Sequence, residues 1–143
     1  MASKTAQSIM TDSPAVCTPD TTAQDAARLM EENDCGSLPV VEGRDSMKLV
    51  GMVTDRDLAI RVLGRGQAPS TPVREAMSKN ISSIKVDDDL NDVERVMSGQ
   101  QVRRVPVVDD QGRVVGIVAQ ADLARELGSS KEVGRVVEKI SQP

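Results

Sequence analysis

The chain has 143 residues, enough for one domain or for two small halves that share a core. Hydrophobic residues make up 38% and charged residues 28%, as in ordinary globular proteins, but His, Phe, Trp and Tyr are all absent. These absences remove Ser-His and Cys-His catalytic pairs, imidazole metal ligands and aromatic stacking platforms for single-stranded nucleic acid, and a net charge of −4 argues against a phosphate-backbone binder.

The opening residues 1 to 10 are polar and lack the apolar stretch of a signal peptide. No apolar run approaches the ~18 residues of a membrane span. A cytoplasmic protein without nucleic-acid or membrane partners is therefore expected. Ala15-Val16-Cys17 reads as a short extended segment. A helix follows from about Thr22 to Glu32, with Ala26, Leu29 and Met30 on one face at helical spacing. Leu38-Pro39-Val40-Val41 is an apolar strand, the polar stretch from Glu42 to Lys48 a turn, and Leu49 to Val53 a second strand leading into a helix near Asp55. Gly64 to Pro72, rich in Gly, Pro and polar residues, reads as a linker. It lacks the Gly-Lys-Ser/Thr ending of a phosphate-binding loop and does not follow a strand.

The same order then recurs. Ser83 to Val86 is extended, and Leu90 to Ser98 is a helix carrying Val93, Val96 and Met97. Val105 to Val108 and Val114 to Val118 are strands, and a last helix starts near Gln120. A shift of 67 superposes Met10, Asp20, Asp25, Arg28, Met30, Pro39, Val40 and Val41 on Met77, Asp87, Asp92, Arg95, Met97, Pro106, Val107 and Val108. A shift of 65 superposes Val50, Gly51, Val53, Asp57, Leu58 and Ala59 on Val115, Gly116, Val118, Asp122, Leu123 and Ala124. The two-residue deletion between the blocks falls in the polar turn, where length varies most easily. The chain is a tandem duplication.

The duplication divides the chain into a tail (1–7), a first repeat (8–63), a linker (64–72), a second repeat (73–127) and a C-terminal segment (128–143). Each half reads as a βαββα unit of an α/β (α+β) fold with buried strands. A half of roughly 55 residues buries too little surface to be comfortable alone, so two halves packed by a pseudo-two-fold are expected. In the C-terminal segment Val133, Val136, Val137 and Ile140 share one helical face, giving an amphipathic helix that packs on its own body or clasps a second copy. Cys17 and Cys35 are too few for a disulfide framework or a zinc site and read as small core residues, with a redox pair as the sharper alternative. With no aromatics the core must be built from Val, Leu, Ile, Met and Ala.

Gly36-Ser37-Leu38-Pro39-Val40-Val41 followed by Leu49-Val50-Gly51-Met52-Val53-Thr54-Asp55-Arg56-Asp57-Leu58 resembles a CBS motif, named after cystathionine β-synthase. Val102 to Val108 followed by Val114 to Leu123 resembles a second, and Asp25 to Met30 with Asp92 to Met97 are similar to the family's first helix. Together they resemble a stand-alone CBS pair, or Bateman module, over residues 8 to 127. The resemblance implies a regulatory module, not an enzyme, that binds AMP, ADP, ATP, S-adenosylmethionine or NAD in clefts between the repeats. It also implies a homodimer and a regulated partner acted on in trans.

In the family pattern Gly-x-x-Thr/Ser-x-x-Asp, the hydroxyl meets phosphate and the Asp holds the ribose hydroxyls. Carried over, one site (A) would join Thr54, Arg56 and Asp57 with Ser82, Val102, Arg103 and Arg104 of the second repeat. A carboxylate only accepts hydrogen bonds, so two ribose hydroxyls can both donate to Asp57. Guanidinium groups suit phosphate. The mate (B) would use Ala15, Cys35 and Gly36 with Ala119 and Asp122. It is degenerate, since Ala119 lacks the hydroxyl and no arginine pair accompanies it. No catalytic or metal-ligating set is expected.

Two alternatives stay open. Thr54-Asp55-Arg56-Asp57 also reads as a capping box of purely structural use, and Arg103 and Arg104 as surface charge or partners of Glu94, Asp109 or Asp110. At the level of function, the competitors are a ligand-free dimeric scaffold with vestigial sites and a thiol-based sensor acting through Cys35.

Overall fold

The computed structural model describes residues 4–100 and 103–127. They form a mixed α/β protein of two compact units, one of residues 15–81 and one that joins the described residues of 4–14 to those from 82 onward. Val102 and the anticipated C-terminal helix at 128–143 lie outside the described residues.

In the unit of residues 15–81, α2 (Ala23–Glu32) starts where the sequence places it because Thr22, in an extended conformation, accepts a hydrogen bond from Asp25 N. The two preceding helical amides are satisfied from the supposed linker: Ala23 N donates to Thr71 O and Gln24 N to Pro69 O. The linker thus closes the helix N-terminus, and Thr71 is buried there. β2 (Ser37–Val41) and β3 (Leu49–Thr54) form an antiparallel hairpin with an irregularity at Val40/Val41. Cys17 adds a parallel bridge to Val40, donating to Pro39 O and accepting from Val41 N. Because this neighbour engages only the carbonyl of Pro39, the missing proline N–H costs the ladder nothing there. After β3 the chain makes one helical turn, α3 (Asp55–Asp57), and continues as a π-helical segment, Leu58–Leu63.

The other unit repeats this plan with a fuller sheet. Its strands are β1 (Thr11–Asp12), β4 (Ile84–Lys85), β5 (Arg104–Val108) and β6 (Val114–Ala119), in the order β1-β6-β5-β4. Only the β4·β5 pairing is parallel. Its helices are α1 (Ala6–Ile9), α4 (Leu90–Gln100) and α5 (Gln120–Leu127).

The cores are aliphatic as composition demands. Cys17, Ala26, Met30, Leu38, Val40, Val53 and Val73 fill one unit, and Ile84, Val93, Met97, Val105, Val107, Val118 and Leu123 the other. Cys17 is fully buried, Cys35 is half-buried, and both thiols are free.

The compact units do not coincide with the sequence repeats. Residues 5–12, spanning the end of the tail and the head of the first repeat, pack with the second: α1 docks through Ala6 N on Asp88 O and Gln7 N on Val86 O, and β1 extends the sheet at β6. Residues 73–78, at the head of the second repeat, pack with the first: Val73 and Ala76 are buried, and Ser78 bridges Met52. Periodicity misses both because α1 is one turn long, β1 two residues and the 3₁₀ turn Val73–Glu75 three, all too short for a pattern. The segment read as a tail therefore already enters α1 at Ala6.

The exchanged segments approach the sheets where a side chain would block them. A Cβ on Gly51 would stand 2.9 Å from Ser78 O and 3.1 Å from Met77 Sδ. At the equivalent Gly116 it would stand 3.0 Å from Thr11 O, under Met10. Gly51→Ala is expected to lower stability by about 1–3 kcal/mol through forced displacement, several degrees in Tm. Gly43→Ala, whose Cβ would meet only Ser46 Oγ at 3.9 Å, is expected to be nearly silent in the same thermal melt.

Burial pushes the Cys17 thiol up to about 11, with the positive charge of Arg44 opposing this slightly. Above about pH 9 the unfolded chain ionises this thiol while the folded chain still holds its proton, so stability is intact below that pH and falls between about 9 and 11. Denaturant titrations across this range should show the fall, and Cys17→Ala should lessen it. A thiol reagent at pH 8 should reach Cys17 only on unfolding.

Candidate functional site

The turn from β3 into α3 is built by reciprocal hydrogen bonds. Thr54 is extended, with φ −115° and ψ 163°, and its Oγ1 accepts from Asp57 N at 3.0 Å. Asp57 Oδ2 accepts from Thr54 N at 2.9 Å. This is the capping box that the sequence allows, and it satisfies two amides that the first turn would leave bare. It does not exhaust the groups involved. Asp57 Oδ1 and the Thr54 hydroxyl proton have no partner among the described residues, and both side chains are half-buried. A ribose diol needs an acceptor of this kind.

The equivalent turn in the other unit keeps the acid and loses the hydroxyl. Asp122 Oδ2 accepts from Ala119 N at 3.0 Å, and Asp122 Oδ1 takes Arg125 Nη2 at 2.8 Å. Asp122 therefore holds the backbone of its turn without a reciprocal cap, and its second oxygen already meets a cation.

Each turn is faced by the first residues of the preceding strand. In one unit Asp55 N donates to Gly36 O at 2.9 Å, and Ser37 stands opposite Thr54 in the ladder. In the other, Gln120 N donates to Arg103 O at 2.7 Å, and Arg104 stands opposite Ala119. Of the residues singled out from sequence, the structure thus brings Gly36 to the Thr54–Asp57 turn, and Arg103 and Arg104 to the Ala119–Asp122 turn, while Cys35 N donates to Met30 O at the end of α2. Ala15 lies in the first of these units and Ser82 in the second. The groupings carried over from repeat position, Thr54, Arg56 and Asp57 with Ser82, Arg103 and Arg104, and Asp122 with Ala15, Cys35 and Gly36, each draw on both units.

Arg103 is exposed, Arg104 is half-buried, and neither side chain is in an ion pair among the described residues. Of the acids weighed as structural partners, Asp109 and Asp110 face other cations. Asp109 caps its own turn through the amides of Gln111 and Arg113, and Arg113 Nε adds a contact at 2.8 Å. These bonds, that of the Arg113 amide foremost, hold its carboxyl below the ordinary range. Asp110 stands 4.0 Å from Lys85 Nζ. By repeat position Ser37 is the counterpart of Arg104, and the sequence puts a helix start at Gln120, but that they stand beside the two turns follows from hairpin register, which a pattern of apolar residues does not specify. No helix among the described residues is long and apolar enough to cross a membrane.

Comparison with known proteins agrees with this geometry. The family model described as CBS domain matches residues 6–64 and 73–129. The chain is 41% identical over 132 residues to the CBS domain-containing protein YhcV of Bacillus subtilis, covering 92% of this chain and 91% of that protein. Among solved structures, it is similar to the CBS domain pair of protein MJ0100 in complex with 5′-methylthioadenosine and S-adenosyl-L-methionine. The TM-score is 0.77 at 29% identity, covering 89% of this chain and 98% of that one. It is likewise similar to CBSX2 of Arabidopsis thaliana in complex with AMP, with a TM-score of 0.76, 28% identity and the same two coverages. With both repeats matched, the chain belongs to the CBS domain family.

Proposed function

We propose that this protein is a regulatory module that binds an adenosine-containing ligand through the ribose and passes the bound state to a partner protein in trans. The observation that carries the reading is the Thr54–Asp57 turn, whose acid caps a helix with one oxygen and leaves the other for a ligand. Two similar structures hold AMP or S-adenosylmethionine with methylthioadenosine, which supports the ligand class. Asp57 holds the ribose hydroxyls and the Thr54 hydroxyl meets phosphate, and Arg56, Ser82, Val102, Arg103 and Arg104 are the further contacts that repeat position assigns. Ala15, Cys35, Gly36, Ala119 and Asp122 form the degenerate mate. Signalling requires that the ligand bind one arrangement of the protein, or of a homodimer, better than another.

Because the chain has neither Trp nor Tyr, binding is read by a dye-reported thermal shift against AMP, ADP, ATP, S-adenosylmethionine, NAD and adenosine. A ligand at ~100 times its dissociation constant adds about 2.7 kcal/mol, several degrees for a chain of this size. At least one nucleotide should produce this shift. Asp57→Asn keeps an acceptor for Thr54 N but loses the carboxylate, so it should fold normally and lose the shift. A protein that no ligand in this set stabilises would instead be a scaffold or a thiol sensor.

Arg103→Ala should weaken AMP and ATP at least tenfold more than adenosine, because it removes a charge-assisted contact that only a phosphate uses. An equal loss for all three would mean that Arg103 supports the fold. Combining it with Asp57→Asn and, separately, with Asp122→Asn identifies which acid shares its ligand with the arginine. The pair with non-additive losses is the one that does.

A further inference from the structure

Among the described residues, Met30 and Met97 are buried in the two cores, while Met10, Met47, Met52 and Met77 are half-buried. Met10 and Met77 occupy equivalent places, one on each exchanged segment. Each lays its side chain over a strand glycine. Met77 Sδ would stand 3.1 Å and its Cγ 3.5 Å from a Cβ on Gly51, and Met10 Cγ 2.8 Å from one on Gly116. Each also packs on the aliphatic core of its own unit. The backbone holds the segments there by few bonds. Met52 N and Ser78 N each donate to the other's carbonyl, and β1 pairs with β6 over two residues. A thioether is apolar and suits such a place, whereas a sulfoxide carries a hydrogen-bond acceptor that an aliphatic surface leaves unpaired, at a cost.

We infer that Met10 and Met77 are paired oxidation sites through which the protein responds to hydrogen peroxide. The peroxide O–O bond breaks, one oxygen bonds to the sulfur and the other leaves as water. The thioether is oxidised by two electrons to the sulfoxide and the peroxide is reduced. The new oxygen lifts the exchanged segment from its strand and uncovers the apolar residues that the segment brings, Val73 and Ala76 in one unit and Ala6 in the other. The change is reversible, because methionine sulfoxide reductases restore the thioether. It is independent of adenosine binding and of the thiol of Cys35.

The test uses the full chain carrying Cys35→Ala, so that the half-buried thiol takes no part; Cys17 is fully buried. The protein is treated with hydrogen peroxide, and oxygen uptake at each methionine is read by peptide mass spectrometry beside thermal melts and amide hydrogen exchange. Met10 and Met77 should be oxidised together with Met47, which lies in the polar turn between β2 and β3, and ahead of the buried Met30 and Met97. The treated protein should melt several degrees lower. The amides of Met52 and Ser78 should exchange about tenfold faster, as their joint opens locally. Reductases for both sulfoxide stereoisomers, with dithiothreitol, should reverse both effects. Met10→Leu/Met77→Leu keeps nearly the same volume without the sulfur, so it should hold its melting temperature through the same treatment. The inference is overturned if Met10 and Met77 stay unoxidised while Met47 is oxidised, or if their oxidation leaves melting and exchange unchanged. It is overturned equally if the double variant falls as far as its parent, since another residue would then be responsible. Should the double variant not fold, the parent decides: a fall that follows sulfoxide content at Met10 and Met77 through oxidation and repair supports the inference, and one that does not overturns it.

Discussion

Each unit depends on a close approach between a glycine in a strand and a segment from the far side of a repeat boundary. Gly51 of β3 lies under Met77 and Ser78, and Gly116 of β6 under Met10 and Thr11. In each case a backbone hydrogen-bonds where a Cβ would stand, and a methionine side chain covers the glycine. Methionine suits the place because its unbranched, polarisable chain conforms to an irregular surface. The approach brings the residues that finish each unit: Val73 and Ala76 enter one core, and Ala6 the other. A repeat cut at its sequence boundaries would lose the segment that closes its sheet and the apolar residues that fill its core.

The helix-start turn shows how one arrangement of side chains serves structure and binding together. A carboxylate has two oxygens and about four acceptor positions, while a first-turn amide uses only one of them. Asp57 spends one oxygen on Thr54 N and so is fixed in place by the fold. A side chain already held gives up little rotamer freedom when a ligand arrives. The comparison between the two turns makes the division visible. Asp122 performs the same backbone task beside Ala119, but its other oxygen meets Arg125. The shared role explains why both halves carry the acid, and the different second partner separates what each turn can offer.

An aromatic-free core is consistent with this economy of parts. Val dominates the buried positions of β2, β5 and β6, where branched side chains pack well on a pleated surface. Pro39 sits within β2 and Pro106 within β5, in the middle of otherwise buried strands. The neighbouring parallel segment is short in each unit, two residues in β4 and a single bridge at Cys17. The sheet tolerates a missing donor where no neighbouring strand asks for it.

Much of this was legible from the residues alone. The duplication, the order of strands and helices in each half, the capping box at Thr54 and the absence of aromatic and imidazole chemistry follow from identity, spacing and composition. α2 begins within one residue of its expected start because Thr22 is a side-chain cap, a local interaction readable from local sequence. What only the tertiary structure decided are pairings between distant positions: which segment closes which sheet, the linker's capping of α2, and the placing of Arg103 and Arg104 beside Asp122 and of Ser37 beside Thr54. One-turn helices and two-residue strands have no period to detect, and hairpin register is set by contacts that form only when the chain has folded. Propensity and periodicity report the neighbours a residue has along the chain, whereas the chemistry of a site depends on neighbours it acquires across it.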